Sequence, residues 1–491
     1  MTFRLPFLYN FLCSYALMGT SNASVNAFRE LLAGEKKRHR MGEYIPERKA
    51  EPVLAGRAGA PDTAQTRIGV SRLNRSGTAK FSPSLPWAGR AFLKEKRSMD
   101  ISSLQFARRF DGISGSAIRE IFKLLAKPGM ISFAGGNPAF SALPDEQTAE
   151  IAREVLLNDG KTLLQYGATE GYKPLCESLV PYVKERFGIE AAQGEILPTT
   201  GSTQAMSLLC MALIDPGDVI LVEDPTFLGN MQCMRLFGAK LIPVSSDENG
   251  MVMEDLEEKI IAHHPKMIYI IPTFQNPTGR TLSLDRRKKI AQLAEQYGVV
   301  VAEDDPYHDL RYSGSGMPSI KSFDKSGFVA FMGSFSKVIS PGLRVGFLVA
   351  QPALLRKCVI GKQSSDLHTA LLNQAICDAY LRKGLLQPHV DAICQDYKVQ
   401  LDTMLGCLDS CDVYQSYTKP EGGLFVFVEL DQKINALEKL TRAVELGVAY
   451  VPGTHFYAGG GHENTLRLNF SMSNPETIKL GMEKLNKALT E

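Results

Sequence analysis

At 491 residues, 44% hydrophobic and 22% charged, the chain is long enough for two or three domains with well-buried cores, and its bulk is excluded from the low-complexity classes. The net charge of +2 hides an asymmetry: residues 1–98 hold 17 Lys+Arg against 7 Asp+Glu, and the remainder holds 38 against 46. The acidic remainder argues against a nucleic-acid partner for the main body, and nine scattered cysteines without C-x-x-C spacing or a nearby histidine cluster read as reduced thiols of a cytoplasmic protein, with no metal site.

In chain order, the apolar run of residues 5–19 behind Arg4 is a passable secretory signal, too short and interrupted for a membrane span. The basic Arg-, Ser- and Gly-rich stretch up to residue 98 has no sustained periodicity and too little apolar surface to offset its ordering entropy. Met99 precedes the first ordered periodicity, so residues 1–98 read as a poorly structured extension, either leader or a mis-assigned start. From residue 116, Ile118, Ile121, Phe122, Leu124 and Leu125 share one helical face, and Pro128-Gly129 ends the helix. Val219–Val222, Lys240–Val244, Met267–Ile271, Val299–Ala302, Phe328–Met332 and Arg344–Ala350 then read as buried strands, with helices such as 203–213 and 284–297 between them. Such alternation, with continuously apolar strands, predicts a mostly parallel α/β sheet. Longer helices beyond 366, followed by strands near 423–430, 448–451 and 465–470, predict a smaller α+β domain. The expected divisions are 1–98, an arm at 99–145, a large domain at 146–365 and a small domain at 366–491.

Ligands of open α/β sheets bind at the carboxyl ends of the strands. Those ends carry Asn276-Pro277-Thr-Gly279, then Glu303-Asp304-Asp305-Pro306-Tyr307, then Ser334-Phe335-Ser336-Lys337 with Arg344 seven residues on. Thr199-Thr200-Gly201-Ser202-Thr203 opens the helix at 203. Each piece alone is weak, since Asn-Pro-x-Gly is usually a turn. Ser334-x-x-Lys337 also fits an acylating serine of penicillin-recognising enzymes, but the Ser-Asp-Asn and Lys-Thr-Gly partners are absent downstream.

In this order and spacing the motifs closely resemble fold-type I pyridoxal-phosphate aminotransferases, in the branch of 2-aminoadipate, aromatic and kynurenine aminotransferases. Ile131-Ser-Phe-Ala-Gly-Gly136-Asn-Pro138, Gln165-Tyr166-Gly167 and Gly453-x-x-Phe456 extend the resemblance over about 390 residues. It implies that Lys337 carries pyridoxal 5′-phosphate as a Schiff base and moves the proton as general acid and base. It implies that Asp304 keeps the pyridine nitrogen protonated, with Tyr307 and Asn276 on the ring O3′. The Asp304/Asp305 pair leaves that assignment ambiguous, and the spacing to Tyr307 favours Asp304. The phosphate is expected at Ser202 and Thr203, where a helix start favours an anion, with Ser334, Ser336 and the fork of Arg344 completing the cup. Phe227 is expected to stack on the ring.

For substrate, Arg467 resembles the arginine that grips the α-carboxylate, with Gly136 and Asn276 nearby. Arg119 resembles a residue that reads a side-chain carboxylate, and equally fits a solvated helix position. Tyr166 resembles the tyrosine that reaches the other subunit's phosphate, which implies a homodimer. The expected reaction is a ping-pong transfer from 2-aminoadipate, aromatic or large aliphatic amino acids to a 2-oxo acid such as 2-oxoglutarate, without metal, membrane or nucleic acid. A carbon–sulfur lyase shares the cofactor residues, and a transcription regulator with an aminotransferase-like domain shares the fold, although residues 1–98 lack a winged-helix pattern.

Overall fold

The computed structural model describes residues 104–111, 113 and 129–491. The expectations for residues 1–98, the helix from 116 and Arg119 lie outside the described residues.

Eight strands form the main sheet: β2 (Ile196–Thr199), β3 (Val219–Asp224), β4 (Lys240–Asp247), β5 (Gly250–Met251), β6 (Met267–Ile270), β7 (Val300–Asp304), β8 (Val329–Ser334) and β9 (Gly346–Val349). Their spatial order is β2-β9-β8-β7-β6-β3-β4-β5. The central pairs β4–β3, β3–β6, β6–β7 and β7–β8 are parallel. β9 runs antiparallel to both neighbours, because only residues 335–345 separate it from β8, too few for a helical crossover.

Burial explains why these strands are apolar throughout. Ile220, Val222, Met267 and Tyr269 enter one core cluster, while the alternating Leu221, Ile268 and Ile270 enter the other. Successive side chains point to opposite faces, and helices cover both. Helix Ser202–Leu213 packs against Pro352–Ser365 and Leu228–Leu236, and Met253–His263 packs against Leu284–Tyr297. The last of these ends where Gly298, at φ 65°, supplies the left-handed turn.

A smaller antiparallel sheet follows, ordered β10 (Tyr414–Tyr417), β11 (Phe425–Leu430), β14 (Thr465–Asn469) and β13 (Val451–Pro452). β14 is central and fully buried, with Arg467 opposite Phe427 and Val451. Early in the chain, β1 (Ile131–Ser132) pairs in parallel with β12 (Val448–Ala449), which brings the residues after β1 to the small sheet. Among the described residues no helix is long and apolar enough to cross a membrane, and the cysteines are unpaired.

Candidate active site

The carboxyl ends of β6, β7 and β8 open into a cavity of about 390 Å³, within the size range of small-molecule sites. It is lined by Gly136, Ser202, Thr203, Phe227, Asn276, Asp304, Tyr307, Ser334, Ser336, Lys337, Arg344 and Arg467. Thus every site residue expected from the sequence lines one cavity, apart from Arg119, which is outside the described residues, and Tyr166. Tyr166 is 79% exposed and lies edge-on to His368, 6.1 Å between ring centres.

Lys337 follows β8 directly, and its Nζ donates to the carbonyl of Gly136 at 2.6 Å. Burial, helped by the charges of Arg467 and Arg344, pushes its ammonium down to about 8. A fraction of neutral amine, the form that attacks a carbonyl, therefore exists near neutral pH.

Asp304 ends β7 and is buried. Its Oδ2 accepts from Tyr269 Oη and from Asn230 Nδ2, both at 3.0 Å, while Oδ1 is buried without a partner among the described residues. Burial pushes this carboxyl up to about 7, Asp305 adds to the rise, and the donors Tyr269 and Asn230 oppose it. Asp305 points elsewhere: its Oδ2 accepts from Thr273 Oγ1 at 2.8 Å and lies 3.3 Å from His308 Nδ1. Of the pair, Asp304 is the one that lines the cavity. Adjacent residues at a strand end face opposite ways.

The loop after β6 is clamped at both ends by Arg287, which is wholly buried. Its guanidinium donates to the carbonyls of Pro272 at 2.8 Å and Leu282 at 3.0 Å, and to Thr273 Oγ1 at 3.0 Å. Within this loop Phe274 takes a left-handed conformation at φ 47°. Asn276 then enters the cavity, where its Oδ1 accepts from Arg467 Nη1 at 2.8 Å.

Arg467 is 2% exposed. Nη2 donates to the carbonyl of Ala134 at 2.7 Å, and the guanidinium lies over Phe425 at 4.1 Å and Phe456 at 5.0 Å. Among the described residues no carboxylate is hydrogen-bonded to it and Nε has no partner, and burial pushes it down to about 10. A cation held this way is costly unless an anion joins it. Tyr307 is buried beside it, its ring edge-on to Phe425 at 5.9 Å, and burial raises its phenol.

At the other end, Gly201 at φ 76° turns the chain into helix Ser202–Leu213. A Cβ there would lie 2.4 Å from Arg344 Nη2, so glycine lets the guanidinium approach the turn. Arg344 is itself left-handed at φ 52°. It is exposed, and its Nη2 donates to the carbonyl of Thr200 at 3.3 Å. Phe227 precedes helix Leu228–Leu236, and a Cβ at Gly229 would lie 2.6 Å from its ring.

These residues fit a phosphorylated, protonatable aromatic ring carrying an aldehyde. Free N–H groups at a helix start suit the phosphate, and the unpartnered Oδ1 of buried Asp304 suits a ring N–H. The buried, partly neutral Lys337 suits the aldehyde. Sequence reasoning missed Asn230 and Tyr269 beneath Asp304 and Phe425 by Arg467, and gave no role to Phe456 of the Gly453-x-x-Phe456 motif. The only signal for Asn230 was a lone polar residue on the inner face of an amphipathic helix.

Residues 128–485 match the family model of aminotransferase class I and II. The chain is 39% identical over 409 residues to aromatic-amino-acid aminotransferase 1 of Thermococcus litoralis, which covers 81% of this chain and 98% of the relative. It is 40% identical over 388 residues to the 2-aminoadipate transaminase of Thermus thermophilus, covering 78% and 96%. Among solved structures, the Pyrococcus horikoshii kynurenine aminotransferase in complex with PMP superposes with a TM-score of 0.75 at 38% identity, covering 78% of this chain and 96% of that one.

Proposed function

The chain belongs to the class I and II aminotransferases, enzymes that depend on pyridoxal phosphate, and from that premise we propose that it moves the amino group of an aromatic amino acid, 2-aminoadipate or a large aliphatic amino acid to a 2-oxo acid such as 2-oxoglutarate by ping-pong half-reactions. The observation that carries this reading is the meeting, in one cavity, of Lys337 with two buried and incompletely paired charges of opposite sign, Asp304 and Arg467.

When bound, the cofactor supplies an electron sink for the pair left on the substrate Cα. Asp304 would sit against the ring nitrogen and favour its protonated form, and Tyr307 and Asn276 would reach the ring oxygen. Ser202, Thr203, Ser334, Ser336 and Arg344 would hold the phosphate, and Phe227 would cover the ring. Lys337 Nζ would hold the cofactor, and its amine would take the proton from the substrate Cα in one half-reaction and give one to Cα in the other. Its ammonium, held down to about 8, leaves both protonation states available for that shuttle. Arg467 Nε and the nitrogens now turned to Asn276 and Ala134 would grip the substrate α-carboxylate.

The choice of donor rests on the named relatives, which are an aromatic-amino-acid, a 2-aminoadipate and a kynurenine aminotransferase. Arg119 would read an acidic side chain. A homodimer is supported by the 79% exposure of Tyr166 and by the exposed Leu157 and Leu164 just before it, with Tyr166 completing the partner's phosphate cup. Unpaired cysteines among the described residues support a reducing, cytoplasmic setting.

Lys337→Ala tests the reading. We expect loss of the absorption band of the lysine-linked cofactor with the fold retained, and a fall in kcat of about 10⁴-fold. An unchanged band in that variant overturns the assignment of Lys337. A panel of amino donors, each scored with and without 2-oxoglutarate, separates the transaminase from a lyase, which releases ammonia and needs no 2-oxo acid.

A further inference from the structure

The turn Thr200-Gly201 rests on a polar knot outside the cavity. At its centre is Lys362, whose side chain is completely buried although it carries an ammonium. Nζ donates to Gln204 Oε1 at 2.6 Å, to Thr369 Oγ1 at 2.9 Å and to the two oxygens of Asp366 at 3.0 and 3.1 Å. Those same acceptors hold the turn. Asp366 Oδ2 accepts from Thr200 Oγ1 at 2.8 Å and Gln204 Nε2 at 2.7 Å, and Gln204 Oε1 accepts from the Thr200 N–H at 2.8 Å. Thr369 Oγ1 lies 3.2 Å from Thr200 Oγ1. Every polar contact of the ammonium is therefore one bond away from Thr200, whose carbonyl receives Arg344.

The knot also fixes strained backbone. Leu367, between Asp366 and His368, sits at φ 65°, a conformation costly for a residue with a side chain. It is held there by N–H bonds from Asp366 and Leu367 to the Lys362 carbonyl at 3.0 and 3.2 Å. His368 Nε2 in turn accepts from the N–H of Gly167, next to Tyr166, at 3.2 Å. A buried ammonium is expensive unless its partners are well placed, and here the partners are the groups that shape the phosphate end of the cavity.

We propose that Lys362 is a positioning residue for the cofactor phosphate: it holds the Thr200-Gly201 turn, and through it the free N–H groups of Ser202 and Thr203 and the fork of Arg344, in the geometry that binds the anion. This rests on the cofactor reading above. The role predicts a specific defect. Losing Lys362 leaves Asp366 without its cation, loosens the turn and weakens binding of the phosphate, while Asp304, Asn276 and Lys337 at the far end keep their contacts.

The experiment titrates cofactor-free full-length protein with pyridoxal 5′-phosphate and, separately, with pyridoxal, following absorbance and intrinsic fluorescence. Lys362→Met is expected to weaken pyridoxal phosphate about tenfold or more, in line with the loss of a charge-assisted contact. Its affinity for pyridoxal should stay within about twofold of the parent protein, as should kcat at saturating cofactor. Thr369→Val keeps the ammonium and its carboxylate but removes one shared hydroxyl; it should show the same selectivity at about threefold, and it carries the test if Lys362→Met does not fold. A loss equal for both ligands, or no loss for either, overturns the proposal. If the parent protein itself binds no pyridoxal phosphate, the functional reading falls with it; if the parent binds and the variants prefer pyridoxal phosphate over pyridoxal as strongly as the parent does, the role of Lys362 alone falls.

Discussion

The two ends of the cavity hold charge in opposite ways. At the ring end, Asp304 is buried under Asn230 and Tyr269 with one oxygen left bare, and Arg467 is sealed between two aromatic rings. At the phosphate end, the donors are backbone N–H groups at a helix start and an exposed arginine. Burial strengthens each interaction at the first end and makes it costly when the ligand is absent. Solvent at the second end makes each contact weak alone, so the cup depends on several groups acting together. The chemistry is thus set at the buried end, and the exposed end anchors.

Asp304→Asn makes the sharpest break in this contrast. The amide keeps the shape and the contacts of Oδ2 but removes the charge that favours a protonated ring nitrogen. A loss of about 10²–10³ in kcat is expected, with a much smaller change in cofactor affinity. A mutant that loses affinity and keeps kcat would reverse the division between the two ends.

The next effect is on stability without cofactor. Burial raises Asp304 and Glu303 to about 7 and Glu223 to about 8. The folded chain therefore binds these protons more tightly than the unfolded chain, whose carboxyls titrate near about 4. Their contribution is whole below that pH and is lost as pH rises through 7 to 8. Lys337, lowered to about 8, acts the other way: its contribution is whole above the unfolded value and is lost as pH falls through 8. It changes little below that. The Tm of cofactor-free protein should therefore fall between about pH 5.5 and about pH 8. Asp304→Asn should flatten that fall, and so should cofactor, because a ring cation beside Asp304 removes its reason to stay protonated. Equal slopes in all three samples would show that burial of Asp304 is not what raises it.

The strand ends were legible in the sequence because a continuous apolar run fixes where a buried strand stops, and Asn276, Asp304, Lys337 and Arg344 follow such runs or, for Arg344, precede one. The reversed direction of β9 was also within reach, since a link of residues 335–345 cannot hold a crossover helix. What the spacing could not carry is contact across elements. Tyr269 meets Asp304 only once β6 pairs with β7, Asn230 only once its helix Leu228–Leu236 is packed in place, and Lys362 meets Gln204 from a helix some 160 residues away. Asp304 and Asp305 part ways because one points to the cavity and the other to Thr273, a matter of strand facing that a doublet in a sequence leaves open.

The smallest effect belongs to the exposed end. Arg344→Ala removes a guanidinium whose contacts within the chain are long: 3.3 Å to the Thr200 carbonyl, 3.4 Å to the Pro341 carbonyl and 3.5 Å to Ser336 Oγ. Little folding stability hangs on them, so the Tm of cofactor-free protein should hardly change. The bound phosphate gives the fork a better partner, and its loss should weaken pyridoxal phosphate about tenfold. Because the group is exposed, added salt should weaken the parent's binding toward that of the variant, which a titration at two ionic strengths reads directly. A salt-insensitive defect, or a large fall in Tm, would mean that Arg344 is built into the fold as firmly as Arg467, and the contrast between the two ends would not hold.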